Sequence, residues 1–272
     1  MKSRRHLPLL IVTALLAFGI LLPRLGFYWD DWATLAAWRA DGARGVWELL
    51  GDPFRHRPFS GWTVALFGPL AGSTPFGWQL TSLGLRCACA ATLYQLLRRL
   101  WPQPSQLALI GALLFLVYPT FLQQPIAVTY HQHWLTFLLY LLSLLLMVSA
   151  VAQPSPARRA LFTLLALIAQ ALHLSIFEYF AAADCIRPLL LFIVLPRPQR
   201  FRRSLLHALP FLLLSATFIA WRLSISAAQA DGNRPGLLFD LLQQPLPILL
   251  HLARLAIEDT LHILLLNWLP AS

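Results

Sequence analysis

The chain has 272 residues, 58% hydrophobic and 12% charged, against about 25% charged in soluble domains, and its mean hydropathy is +0.64. Continuous Leu-rich runs along the whole length exclude a soluble domain with a single anchor, and their lack of alternation excludes an outer-membrane barrel. The net charge of +10 would suggest nucleic acid in a soluble protein, but the basic residues lie mostly between apolar runs and no nucleic-acid module is visible, so nucleic acid is excluded as a partner.

In chain order, Lys2, Arg4, Arg5 and His6 precede an apolar run. That run is long for a signal peptide and lacks a small-x-small cleavage site, so it reads as a retained first helix, about 7–25. A long loop, 26–58, follows; it contains a helix-like stretch from Asp31 to Leu50 with Trp32, Leu35, Trp38 and Trp47 among its apolar positions. Asp30 or Asp31 would cap that stretch, and its tryptophans suit the headgroup region. A short apolar piece at 59–71 leads to a second span at 76–97, with further spans at 105–121, 128–150, 160–178, 181–195, 205–224 and 248–268. The expected fold is an all-α integral membrane bundle of about eight transmembrane helices, one domain over 1–272, with an interfacial helix in the first outer loop.

With the N-terminus inside, the cytoplasmic segments 1–6, 98–104, 151–159 and 196–204 carry eleven Lys and Arg residues and no Asp or Glu. The Lys and Arg bias sets the orientation and puts Asp30 and Asp31 on the extracytoplasmic side of the plasma or inner membrane. Cys87, Cys89 and Cys185 have no zinc-like spacing and read as buried, inert thiols.

The tetrad Trp29-Asp30-Asp31-Trp32 places two carboxylates beside a bilayer. They read either as solvated interfacial charges, one of them a helix cap, or as a general base and candidate ligands for a divalent cation. Arg55 and Arg57 suit either headgroups or a donor phosphate. His131 and His133 are two residues apart, a spacing that suits one face of a strand and not adjacent positions on a helix; they are candidates for metal ligation, or for capping or lining a polar cavity, and Tyr130 and Trp134 beside them read as belt aromatics. Glu178 is the second acidic candidate, and Asp184 with Arg187 suits an i, i+3 ion pair. His251, Arg254, Glu258 and His262 form one polar stripe on an otherwise apolar helix.

The acidic pair after a first helix, then Arg55-His56-Arg57-Pro58 and Phe67-Gly68, then Leu-Tyr-Gln-Leu-Leu-Arg-Arg-Leu at 93–100 and Tyr118-Pro119, resembles the GT-C superfamily of polytopic glycosyltransferases. That superfamily includes the protein O-mannosyltransferases and the lipid A aminoarabinose transferases. The resemblance covers the topology of most of the chain and specific motifs over about 28–125. It implies transfer of a sugar, with inversion, from a polyprenyl-phosphate donor to an extracytoplasmic acceptor. Asp30 or Asp31 would be the base, with Asp31 favoured and Asp30 orienting the acceptor or a cation. Family members are usually longer, so the resemblance also implies that this is either a piece of a longer protein or a minimal catalytic module. Two rival functions stay open: a cation- or substrate-binding transporter or flippase, favoured if Arg86 is buried in its span, and a non-catalytic membrane protein.

Overall fold

A computed structural model describes residues 6–50, 57–119, 125–228 and 236–268. Among the described residues the chain is helical, with no strand. Helix α1 (His6–Ala17) continues into a 3-10 segment, Gly19–Arg24. After a turn come α2 (Asp31–Leu50) and α3 (Ser60–Ala71). The bundle helices follow: α4 (Pro75–Leu100), α5 (Ser105–Leu116), α6 (Ala127–Val151) and α7 (Pro156–Ile176). Two 3-10 turns, Glu178–Phe180 and Ala183–Ile186, lead to α8 (Arg187–Val194). Then come α9 (Arg200–Ala228), α10 (Gly236–Gln243) and α11 (Pro245–Leu264).

Among the described residues, four segments are long and apolar enough to cross a membrane: His6–Arg24, Ala127–Val151, Pro156–Ile176 and Arg200–Ile225. The protein therefore has the character of a helical membrane protein. The segment expected as a sixth span, 181–195, is instead a 3-10 turn followed by an eight-residue helix. At 1.5 Å per residue that helix is about 12 Å long, well short of a bilayer's apolar core of about 30 Å.

Local signals set several boundaries. Thr74 caps α4 by accepting the Gly77 N–H, Pro75 stands where a missing N–H costs nothing, and Arg98 and Arg99 fill the last turn, where cations suit the helix dipole. Helix α2 has the expected bounds but breaks at Asp41 and Gly42; Gly42 has φ +60°, which a glycine adopts without steric cost.

Helix α6 is central, packed on α4 and α7. Small polar side chains tie these helices together: Ser143 donates to the Ala166 carbonyl, Cys89 to the Trp134 carbonyl and Ser82 to the Ala127 carbonyl. Between membrane helices, close packing and such bonds do the work that hydrophobic burial does in water. Helices α1, α4 and α5 share one apolar cluster, including Leu10, Ala14, Leu83, Ala90, Ala112 and Leu116. A second cluster, including Leu35, Val46, Val64, Trp78 and Val128, lies under the acidic tetrad's helix. Gly68 belongs to this contact: a Cβ there would lie 2.9 Å from the Trp38 ring, so only hydrogen lets the indole sit against α3.

Inside the bundle, Arg187 donates to Asp184 (2.7 and 2.8 Å) and to Ser143 (3.1 Å). Gln170 donates to Asp184 (2.6 Å) and to the Phe211 carbonyl (3.0 Å), and Ser215 donates to the same carboxylate. The pair expected from its spacing is thus a fully buried junction of α6, α7, α8 and α9. Two sequence readings are corrected here. Trp134 is buried under Arg86 rather than placed in an aromatic belt, because α6 is enclosed on both sides. Cys185 is exposed, because its turn directs Asp184 inward instead.

The chain forms two compact units that divide within α9, between Phe218 and Ile219. In the second unit, α10 packs on α11, whose expected stripe is present as an exposed Arg254–Glu258 pair at 2.7 Å.

Candidate functional site

The site begins with a backbone turn. Trp29 has φ +47°, a left-handed conformation that costs a bulky residue roughly 1–2 kcal/mol, and its side chain is 79% exposed. The next two residues part company: Asp30 is exposed and Asp31 is 0% exposed. Asp31 Oδ1 accepts the Thr129 N–H (2.9 Å), and Oδ2 accepts the Tyr28 N–H (3.3 Å). Thr129 is the third residue of α6, so Asp31 neutralises the free amides and positive dipole end of that helix. The sequence suggested a cap for α2; the Asp31 carboxylate instead caps a helix about a hundred residues away. Burial raises the Asp31 pKa from its ordinary value, while the backbone N–H groups of Thr129, Tyr28 and Val128 oppose that shift.

Gln79, buried in α4, braces the same region. Its amide donates to the Pro125 carbonyl (2.6 Å) and to the Gly26 carbonyl (3.4 Å), so one side chain fixes the approaches to both α2 and α6.

Asp30 lines an open cleft of about 440 Å³ with Arg57, Ser60, Tyr130, Gln132 and His133, and with Phe177 and Tyr179. Ser60 donates to the Gln132 side-chain Oε1, which links α3 to α6 at the cleft. The Phe59 N–H donates to the Ser175 carbonyl (3.1 Å) and draws the entry of α3 to the end of α7. That bond brings Arg57 to Glu178: Nε donates to Oε2 (3.2 Å) and Nη2 to Oε1 (2.9 Å). The guanidinium also lies over the Phe177 ring, 4.6 Å from its centroid. His133 stacks on Phe177 (4.3 Å) and on Tyr130 (4.4 Å), and Tyr179 stacks on Phe177 (5.0 Å). Burial raises the Tyr179 phenol pKa; Arg57 opposes this, and Glu178 adds a smaller upward push.

The structure thus gathers Asp30, Arg57 and His133 on one cleft, with Glu178 joined to it through Arg57. His131 is not among them. Two positions along a helix is a turn of about 200°, so His131 points into the core against Phe67 and Trp78, with Nδ1 at the Val128 carbonyl. Asp31 likewise does not reach the cleft. Arg55 lies outside the described residues.

The two carboxylates considered as cation ligands are separated, Asp30 exposed and Asp31 buried. Both Asp31 oxygens are occupied by backbone amides, and among the described residues no group of three or more His, Cys, Asp or Glu could hold a metal ion. Sequence reasoning missed Ser60, Gln132, Phe177 and Tyr179 as cleft residues. Gln132 lies between the two singled-out histidines, and Phe177 and Tyr179 flank Glu178, so proximity in sequence was their only signal.

Compared with protein-family models, curated proteins and solved structures, the chain has no match in any of the three.

Proposed function

We propose that this chain is a membrane glycosyltransferase of the GT-C type, with about eight membrane segments, a cytoplasmic N-terminus and α2 lying in the interface. It would move a sugar from a polyprenyl-phosphate donor to an extracytoplasmic acceptor. The observation that carries the reading is the division of the acidic pair: Asp31 is consumed in holding α2 to α6, while Asp30 stands free of the core, on a cleft that also holds Arg57. A base and a cation on one cleft are what the reaction needs. Asp30 takes the proton of the acceptor hydroxyl, whose oxygen attacks the anomeric carbon. The bond from that carbon to the phosphate oxygen breaks, and the electron pair leaves with the polyprenyl phosphate. Arg57 offsets the charge that builds there. Attack opposite the leaving group inverts the centre. The aromatic faces of Tyr130 and Tyr179 offer apolar walls for a sugar ring.

The test is Asp30→Asn in membranes supplied with a polyprenyl-phosphate sugar. Transfer should fall by about 10²–10⁴-fold, the usual contribution of a general base. Unchanged transfer by this variant would refute the assignment.

A second reading, transport, draws on Arg86, which is fully buried in α4 with its guanidinium over the Phe18 ring (3.8 Å) and the Trp134 ring (5.1 Å). Ionisable residues inside membrane helices often mark substrate or ion paths. Solute flux that survives loss of Asp30, without any sugar transfer, would favour it.

A further inference from the structure

We infer that the arginine-rich end of the helical bundle is a binding surface for anionic phospholipids, with a headgroup phosphate seated in a recess at the end of α4. The inference does not rest on the glycosyl-transfer reading.

Helix register brings the charges together. Ser82 donates to the Ala127 carbonyl and Cys89 to the Trp134 carbonyl, so α4 and α6 run parallel and finish at the same end. Ser143 on α6 meets Ala166 on α7 across a short connection, so α7 starts at that end. The Ala183 carbonyl meets Tyr140, and the Arg187 side chain meets Ser143 and Met147, so the chain entering α8 runs in the same direction as α6. Arg200 then donates to the Leu195 and Ile193 carbonyls (both 3.0 Å), which fixes the start of α9 against the finish of α8. His6, the first residue of α1, has its Nδ1 2.7 Å from the Tyr94 hydroxyl near the end of α4. Segments 98–104, 151–159 and 196–204 therefore share one end of the bundle.

These three segments hold eight arginines and no Asp or Glu. The only carboxylates between Asp52 and Asp231 are Glu178 and Asp184. Glu178 follows the far end of α7 and pairs with Arg57, and Asp184 is buried against Arg187. Arg99, Arg158, Arg197, Arg202 and Arg203 are exposed. Helix capping accounts for only part of this charge. Arg98 and Arg99 suit the finish of α4, but Arg158, Arg159, Arg202 and Arg203 stand in the first turns of α7 and α9, where a cation opposes the helix dipole. Both helices contain a segment long and apolar enough to cross a membrane, so their starts lie at headgroup level. A surface of one sign at that level attracts headgroups of the other.

The recess adds shape to charge. It holds about 260 Å³ and is lined by Gln95, Arg98 and Arg99. Two guanidinium forks and an amide supply several N–H donors, and a fork matches two oxygens of a phosphodiester. A choline headgroup would bring a further cation to a surface that is already cationic. A glycerol headgroup leaves the phosphate's negative charge uncompensated, so phosphatidylglycerol fits and phosphatidylcholine does not.

The test titrates the full-length protein in detergent with dioleoyl phosphatidylglycerol and with dioleoyl phosphatidylcholine, counting bound lipid by native mass spectrometry. Wild type should bind phosphatidylglycerol more tightly, and added salt should weaken that preference. Arg98→Gln together with Arg99→Gln should weaken phosphatidylglycerol binding about thirtyfold, the effect of two arginines near an anionic surface, and leave phosphatidylcholine binding unchanged. Equal binding of the two lipids by wild type would overturn the inference, and so would undiminished phosphatidylglycerol binding by the double variant. A third arm adds inorganic phosphate: displacement of phosphatidylglycerol at equal concentration would give the recess to a free anion and overturn the lipid assignment. The wild-type comparison of the two lipids decides the question even if the double variant fails to fold.

Discussion

Two acid–arginine pairs lie six residues apart in the sequence at their carboxylates, yet they live in opposite environments. Asp184–Arg187 is 0–1% exposed and is bonded to Ser143, Gln170 and Ser215 from three other helices. Arg57–Glu178 has the same chemistry but is a quarter to a third exposed, and its guanidinium lies over the Phe177 ring. A buried charge must be fully paired or it costs heavily, so the first pair is a fastener of the bundle. A half-wet pair contributes little to stability, so the second is no such fastener, and its arginine lines the cleft.

The largest expected effect breaks the fastener. Arg187→Leu leaves Asp184 buried without its cation and should destabilise by about 3–5 kcal/mol, read as a large drop in thermal unfolding temperature in detergent. Adding Asp184→Leu should recover much of that loss, since an apolar pair replaces an ionic one. Failure to recover would mean that the network, not the charge, carries the cost. Next is Asp31→Ala, which strips the acceptor from two N–H groups and should cost about 2–4 kcal/mol in the same assay. Gly68→Ala forces the Trp38 ring to move and should cost about 1–3 kcal/mol. Smallest is Glu178→Gln, below about 1 kcal/mol in stability. A large loss of stability there would erase the contrast between the two pairs.

Asp31 adds a pH signature. Its pKa is raised in the fold, so its contribution to stability is fully present below the ordinary carboxylate range and is lost as pH rises through the raised value. The melting-temperature advantage of wild type over Asp31→Asn should therefore shrink as pH rises above the ordinary carboxylate pKa of about 4. An advantage that grows with pH would show that the backbone N–H groups outweigh burial at this carboxylate.

Much of the architecture was legible in the sequence. Long apolar runs have one stable solution in a bilayer, so the helices of 127–151, 156–176 and 200–225 follow from composition. The bounds of α2, the i, i+3 and i, i+4 ion pairs and the divergence of His131 from His133 follow from helical geometry. What failed were places where polar or short segments depend on neighbours: the expected span at 181–195, the aromatic belt role of Trp134 and the exposure of Cys185.

The site shows the same limit most clearly. The sequence alone established a helical membrane chain with an adjacent acidic pair, and it marked Arg57, His133 and Glu178 as worth watching. It could not say that Arg57 would meet Glu178, 121 residues away, or that Asp30 and Asp31 would divide between cleft and core. Periodicity and capping act over a few residues and are written locally. Which carboxylate is consumed by a distant helix end, and which is left facing a cleft, depends on packing between segments that only the folded chain brings together.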